Sequence, residues 1–169
     1  MIDLSHTKLF WYLKRKFRKA NIRKGSPSQY GQDQVVYELL GRPEKGTFVD
    51  IGANDGMSFS NSLFFEEKNW TGLCIEPHPT AFKALEETRS CHCLNACVLD
   101  SDTKVDFLVV EGPAHMLSGI ASFMDAHHLN RIKLGIAESG GHEETIQIDA
   151  LSPETFLARY SITLSLIHI

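Results

Sequence analysis

A chain of 169 residues, 43% hydrophobic and 22% charged, has the size and balance of one globular domain and too little length for two cores. Its net charge is −4, and eight of its 17 lysines and arginines fall between Lys8 and Lys24, so the remainder is acidic and offers no counterion-displacing surface for nucleic acid. No apolar run reaches the roughly 18 residues that a membrane span requires, and the start lacks the charged-then-apolar order of a secretory signal, so cytoplasmic residence is the expectation.

Residues 1–27 read as a basic helix followed by a linker. Phe10, Trp11, Tyr12 and Phe17 stand among Lys14, Arg15, Lys16, Arg18 and Lys19. Two readings fit residues 7–24: weak peripheral contact with an anionic membrane, or a solvated helix packed through its aromatic side. Gly25, Ser26 and Pro27 then break the chain. A helix is predicted from about Asp33 through Val35, Val36, Leu39 and Leu40, stopping at Gly41 and Pro43.

An alternation follows: a β-rich run at 47–51, a glycine turn, a helix at 60–68, a strand at 72–76, a helix at 79–89 and a strand at 93–99. Strand and helix in turn, with short links, mark an α/β domain whose parallel sheet is covered by helices with right-handed crossovers. Beyond Lys104 the pattern predicts a half-buried strand through Val105, Phe107 and Val109 and a loop over 111–121. A helix over 122–136, a short strand at 145–148 and a helix opened by Ser152, Pro153 and Glu154 come next. The crowded Cys91, His92, Cys93 and Cys97 raise a zinc reading. Strand neighbours point to opposite faces and no second CxxC follows, so reduced, buried thiols and no metal are expected.

The chemistry concentrates in Val49-Asp50-Ile51-Gly52-Ala53-Asn54-Asp55-Gly56 and in Glu76 at the end of the next strand. A strand, glycine turn and helix present backbone amides to a ligand at the carboxyl edge of the sheet, where open α/β sheets bind. A carboxylate at Glu76 suits the two hydroxyls of a ribose. A dinucleotide site carries a second glycine where this chain has Asn54, and Asp55 beside a pyrophosphate would repel it. Beside the ammonium of a methionine moiety a carboxylate such as Asp50 is attractive, so S-adenosylmethionine (SAM) is favoured over NAD.

These residues, with 28–33, Ser58, Phe59, Ser60 and Asn61, Cys74-Ile75-Glu76-Pro77-His78-Pro79, Asn95-Ala96-Cys97-Val98, 107–112 and Met116-Leu117-Ser118-Gly119, resemble the FkbM family of SAM-dependent methyltransferases over 28–163. The resemblance implies a Rossmann-like class I methyltransferase sheet with flanking helices and methylation of a hydroxyl on a sugar or another small molecule. It implies that Asp50, Gly52, Asn54 and Gly56 cradle the methionine part, that Glu76 holds the ribose, that Asn95 and Ala96 border the adenine, and that Ala53 and Pro77 also belong to the cofactor-binding set. Gln32 and Asp33 would close over the cofactor. His115 and Ser118 lie in a loop able to reach the cleft, and His115 is the candidate base.

The family's later strand carries an Asp-x-Glu-Gly motif that is not found before Ile169. The expectation is therefore of a sheet incomplete at the C-terminus and an inactive fragment of a longer enzyme. Residues 164–169 are expected to be a non-native tail translated from a sequencing adaptor. A non-catalytic SAM- or nucleotide-binding module and an NAD-dependent oxidoreductase are the alternatives. The acceptor, metal dependence and oligomeric state have no sequence signal.

Overall fold

The computed structural model describes residues 26–163, so the basic segment at 7–24 and the tail at 164–169 lie outside the described residues. The chain is α/β, as the alternation implies, but its strands form two sheets. Strands β1 (Thr47–Ile51), β2 (Thr71–Ile75) and β3 (His92–Leu94) make a parallel sheet in the order β1-β2-β3. Strands β4 (Cys97–Val98), β5 (Thr103–Glu111), β6 (Gly119–Ile120) and β7 (His142–Leu151) make a mixed sheet in the order β4-β7-β5-β6.

Strand periodicity explains how the parallel sheet is buried on both faces. Phe48 and Cys74 face helices α1 (Gln32–Leu39), α2 (Leu63–Glu66) and α3 (Pro79–Thr88), where they pack with Phe65, Trp70 and Leu85. Val49, Leu73 and Ile75 face the other way, onto Leu151 and Phe156, the latter on helix α5 (Pro153–Arg159). Leu73, Ile75 and Leu85 are wholly enclosed, and each such side chain contributes about 2–3 kcal/mol by leaving water. The remaining helix, α4 (Ala126–Ser139), is capped by Asp125, whose carboxylate accepts from the His128 amide, and it buries only Ile132.

Several elements differ from expectation. The strand expected over 93–99 is two strands in different sheets, β3 and β4, because Asn95 leaves the ladder and donates from its amide to the carbonyls of Glu76 (2.8 Å) and Pro77 (3.1 Å). The helix expected over 60–68 shrinks to α2: Ser60 stays ahead of it, its Oγ accepting from the amide of Leu63 at the first helical position, and the Ser62 hydroxyl donates to Asp50 on β1. The expected strands near 105–109 and 145–148 lengthen into β5 and β7, which pair antiparallel from Thr103↔Ala150 to Glu111↔His142.

Below the parallel sheet lies a polar knot built around Arg89, whose side chain is fully enclosed. Its Nε donates to Glu66 at 2.5 Å, and its terminal nitrogens donate to Ser62 Oγ (3.2 and 3.1 Å) and the Gly56 carbonyl (3.2 Å). Burial alone would push the Glu66 carboxyl up. The bonds from Ser90 and the Arg89 guanidinium outweigh it and hold the group at about 2, below its ordinary 4.5.

Truncating Arg89→Ala leaves the Glu66 carboxylate without its cationic partner, and urea unfolding should show a loss of about 3 kcal/mol. Because Glu66 is depressed in the folded state, its stabilisation is complete above pH 4.5 and disappears as pH falls towards about 2. In Glu66→Gln that part of the acid dependence should vanish. An unchanged acid-unfolding curve would show that another carboxyl governs it.

Candidate functional site

A cleft of about 330 Å³ opens where the carboxyl ends of the parallel strands meet the second sheet. That volume is at the lower end of ordinary small-molecule sites. One wall comes from residues following the parallel strands: Gly52 and Asn54 after β1, Glu76, Pro77 and His78 after β2, and Ala96 after β3. The opposite wall is Val98, Phe107 and Ile120, with His115, Met116 and Ser118 from the intervening loop. Phe107 and Ile120 are brought side by side by the antiparallel register of β5 and β6.

Glu76 organises the first wall. Its Oε2 accepts from the Asn54 amide (2.7 Å) and its Oε1 from the His78 amide (2.8 Å). The carboxylate therefore ties the turn after β1 to the start of α3, and each oxygen keeps a further lone pair for a ligand. Burial pushes the Glu76 carboxyl up from its ordinary value, and the two amide bonds offset that only in part.

The turn itself needs its glycine and asparagine. Gly52 sits at φ 79° and Asn54 at φ 51°, in the left-handed region that glycine and asparagine enter most easily. The amides of Gly52 and Ala53 both donate to the Ile75 carbonyl (2.8 and 3.1 Å), folding the turn back over the end of β2. Asp55 closes it: Oδ1 accepts from the amides of Met57 and Ser58, and Oδ2 from the Ser58 hydroxyl.

His78 is the N-cap of α3. Its Nδ1 accepts from the Ala81 amide (3.4 Å), which leaves Nε2 to donate to the Val110 carbonyl (3.1 Å) and pin α3 to β5. His115 stands beside it at 6.1 Å between ring centroids. Its Nε2 lies 3.2 Å from Asn54 Oδ1, and its Nδ1 lies 3.2 Å from the Gly112 carbonyl. His115, from the loop of the second wall, thus reaches across to Asn54 on the first, the tautomer deciding which ring nitrogen donates.

Of the residues singled out by sequence, Gly52, Asn54, Glu76, Pro77, Ala96 and His115 line the cleft together. Asp50 does not. It shares the face of Phe48, two residues earlier, and its carboxylate accepts from Ser62 Oγ at 2.5 Å within the buried Arg89 network. Ala53 is buried in the core beneath the turn. Gly56, at φ 78°, lies behind the turn, where an added Cβ would meet Arg89 Cγ at 2.7 Å. Asn95 acts by holding the Glu76–Pro77 backbone rather than by lining the space. Gln32 accepts from the Tyr30 amide at 2.8 Å, and Asp33 accepts from the hydroxyls of Ser26 and Ser28; neither lines the cleft. Ser118 lines it, but its hydroxyl donates to the His115 carbonyl and accepts from the Val110 amide.

Phe107, expected only as part of a half-buried strand, and Ile120 and His78 also line the cleft, with no cleft role foreseen for any of them. Only the Pro79 that follows His78, a residue favoured in the first helical turn, marked it as a cap. Among the described residues no group of three or more His, Cys, Asp or Glu is placed to hold a metal ion, and no helix is long and apolar enough to cross a membrane.

Fold and site together define an α/β domain with a cleft at the carboxyl ends of its parallel strands. Comparison of the chain with protein-family models, with curated proteins and with solved structures found no match in any of the three.

Asn95→Ala removes both donors that hold the carbonyls of Glu76 and Pro77 and should cost about 2 kcal/mol in urea unfolding. Asn95→Asp, isosteric but with an acceptor facing those carbonyls, should cost more. Equal stability of the Asp variant and the parent would refute the holding role.

Proposed function

We propose that this chain binds the cofactor of a SAM-dependent methyltransferase that acts on a hydroxyl of a sugar or another small molecule. The observation that carries the proposal is Glu76: a carboxylate on the cleft wall, held from behind by two backbone amides, beside the left-handed Gly52–Asn54 turn. A ribose would donate its two hydroxyls to the remaining lone pairs of that carboxylate. The adenine would lie along the apolar wall of Ala96, Val98, Phe107 and Ile120, and the methionine end would meet Gly52 and Asn54.

When bound, SAM supplies an electrophilic methyl group to an oxygen in line with the breaking C–S bond. The protein's share in such a reaction is to position the groups and exclude water. His115 is suited to accept the hydroxyl proton only once Nε2 gives up its contact with Asn54, because in the present geometry that nitrogen faces an acceptor. Asp50 takes no part in this scheme at the cleft. Its place in the Arg89 network makes it a support of the turn. Residence in the cytoplasm belongs to the same proposal, since that is where SAM is made and used.

Calorimetry of the chain with SAM tests the reading. Glu76→Gln, with its fold checked by circular dichroism, should weaken binding about 10- to 100-fold, the worth of hydrogen bonds to a charged group. The affinity of the parent should also fall as pH is lowered, beginning above the ordinary glutamate value of 4.5, since burial makes Glu76 take up its proton early. SAM binding that ignores both changes, or NAD binding in place of SAM, would contradict the proposal.

A further inference from the structure

Three of the four cysteines gather on the helix-covered face of the parallel sheet, away from the cleft. Cys74 lies on β2 with no exposed surface, and Cys93 stands opposite it in register on β3. Cys91, in the bend between α3 and β3, is half-buried, and its sulfur is 3.6 Å from that of Cys74. A disulfide needs the sulfurs about 2.05 Å apart, so a gap of roughly 1.5 Å must close. Rotation of Cys91 about its own Cα–Cβ bond, in a bend rather than a strand, supplies that movement most easily.

The two thiols are also differentiated. Contact with Cys74 and the nearby Arg89 guanidinium favour the thiolate of Cys91 and hold it below the ordinary thiol range, against the opposing effect of burial. Contact with Cys91 and burial push Cys74 up instead. Cys93 is raised by burial to about 12 and Cys97 to about 11, so neither competes as a nucleophile.

We propose that Cys91 and Cys74 form a peroxide-oxidisable dithiol, with Cys91 as the attacking and Cys74 as the resolving thiol. The thiolate of Cys91 attacks one peroxide oxygen and breaks the O–O bond. The product is a sulfenic acid, and the hydroxide released takes up a proton to become water. The Cys74 sulfur then attacks the Cys91 sulfur as its own proton passes to the departing hydroxyl, which leaves as a second water. Two thiols give up two electrons and two protons, and one hydrogen peroxide becomes two waters. The inference does not depend on which ligand occupies the cleft.

The bond would form against the polar knot. Cys74 Sγ is 3.8 Å from Ser62 Oγ, the hydroxyl that links Asp50 to Arg89, and Arg89 holds the Gly56 carbonyl at the back of the turn. Oxidation therefore acts on the support of the Gly52–Gly56 turn without touching the cleft itself.

The test is hydrogen peroxide added in slight excess to the reduced full chain at neutral pH, followed by alkylation of the remaining thiols, digestion and mass mapping. Trypsin cuts after Lys68 and Lys83 around Cys74, and leaves Cys91, Cys93 and Cys97 together on residues 90–104, so variants assign the bond. The titratable thiols should fall by two, with peptide 69–83 joined to peptide 90–104 and dithiothreitol reversing the change. The Cys93→Ser, Cys97→Ser double variant should keep the link and Cys91→Ser should lose it. In the unoxidised parent, fragment spectra after brief alkylation should place the first label on Cys91, a readout that needs no variant. A link that survives in Cys91→Ser, a first label on another cysteine, or oxidation that stops at sulfinic acid without a link would overturn the proposal.

Discussion

The arrangement depends on one carboxylate. Glu76 takes the amides of Asn54 and His78 at once, and through them it fixes where the turn after β1 lies relative to the start of α3. His78 passes the constraint on by capping α3 and binding the Val110 carbonyl, which sets β5 against the end of the parallel sheet. His115 repeats the link at the surface between Asn54 and Gly112. Without the carboxylate, one buried and one half-buried amide would lose their acceptor and the two walls of the cleft would lose their common anchor.

The same turn is supported from behind by a second, wholly separate network. Arg89 gathers Glu66, Ser62 and the Gly56 carbonyl, and Ser62 gathers Asp50. Charge is thus placed on both sides of the glycine turn: a carboxylate in the cleft, and a compensated ion pair beneath it. The front carboxylate is raised by burial and the rear one, Glu66, is depressed, so the two sides titrate in opposite directions from the ordinary glutamate value. This separation keeps the front group on the cleft wall while the rear group carries stability.

Much of this was legible in the sequence where structure is local. Strands β1 and β2 and helix α3 follow from alternation and from Pro79 at the helix start, and the turn follows from Gly52, Asn54 and Gly56. What was not legible is set by contacts distant along the chain. Asn95 splits an apparent strand in two by reaching carbonyls 19 and 18 residues earlier, and β5 pairs with β7 across a helix that separates them. The apolar wall exists only because Phe107 meets Ile120. Asp50 was expected beside a methionine ammonium because it stands at the carboxyl edge of β1, but the face it shares with Phe48 turns its carboxylate onto Ser62 in the buried network.

The central claim is that the cleft between Glu76 and Phe107 holds SAM. Titrating the isotopically labelled chain with SAM and following the backbone amides by nuclear magnetic resonance tests it most directly. The largest shifts are expected at Gly52, Asn54, Glu76, Ala96 and Ile120, with Asp50 and Glu66 little affected. Saturable shifts confined to another part of the chain, or none at all from a folded protein, would contradict it.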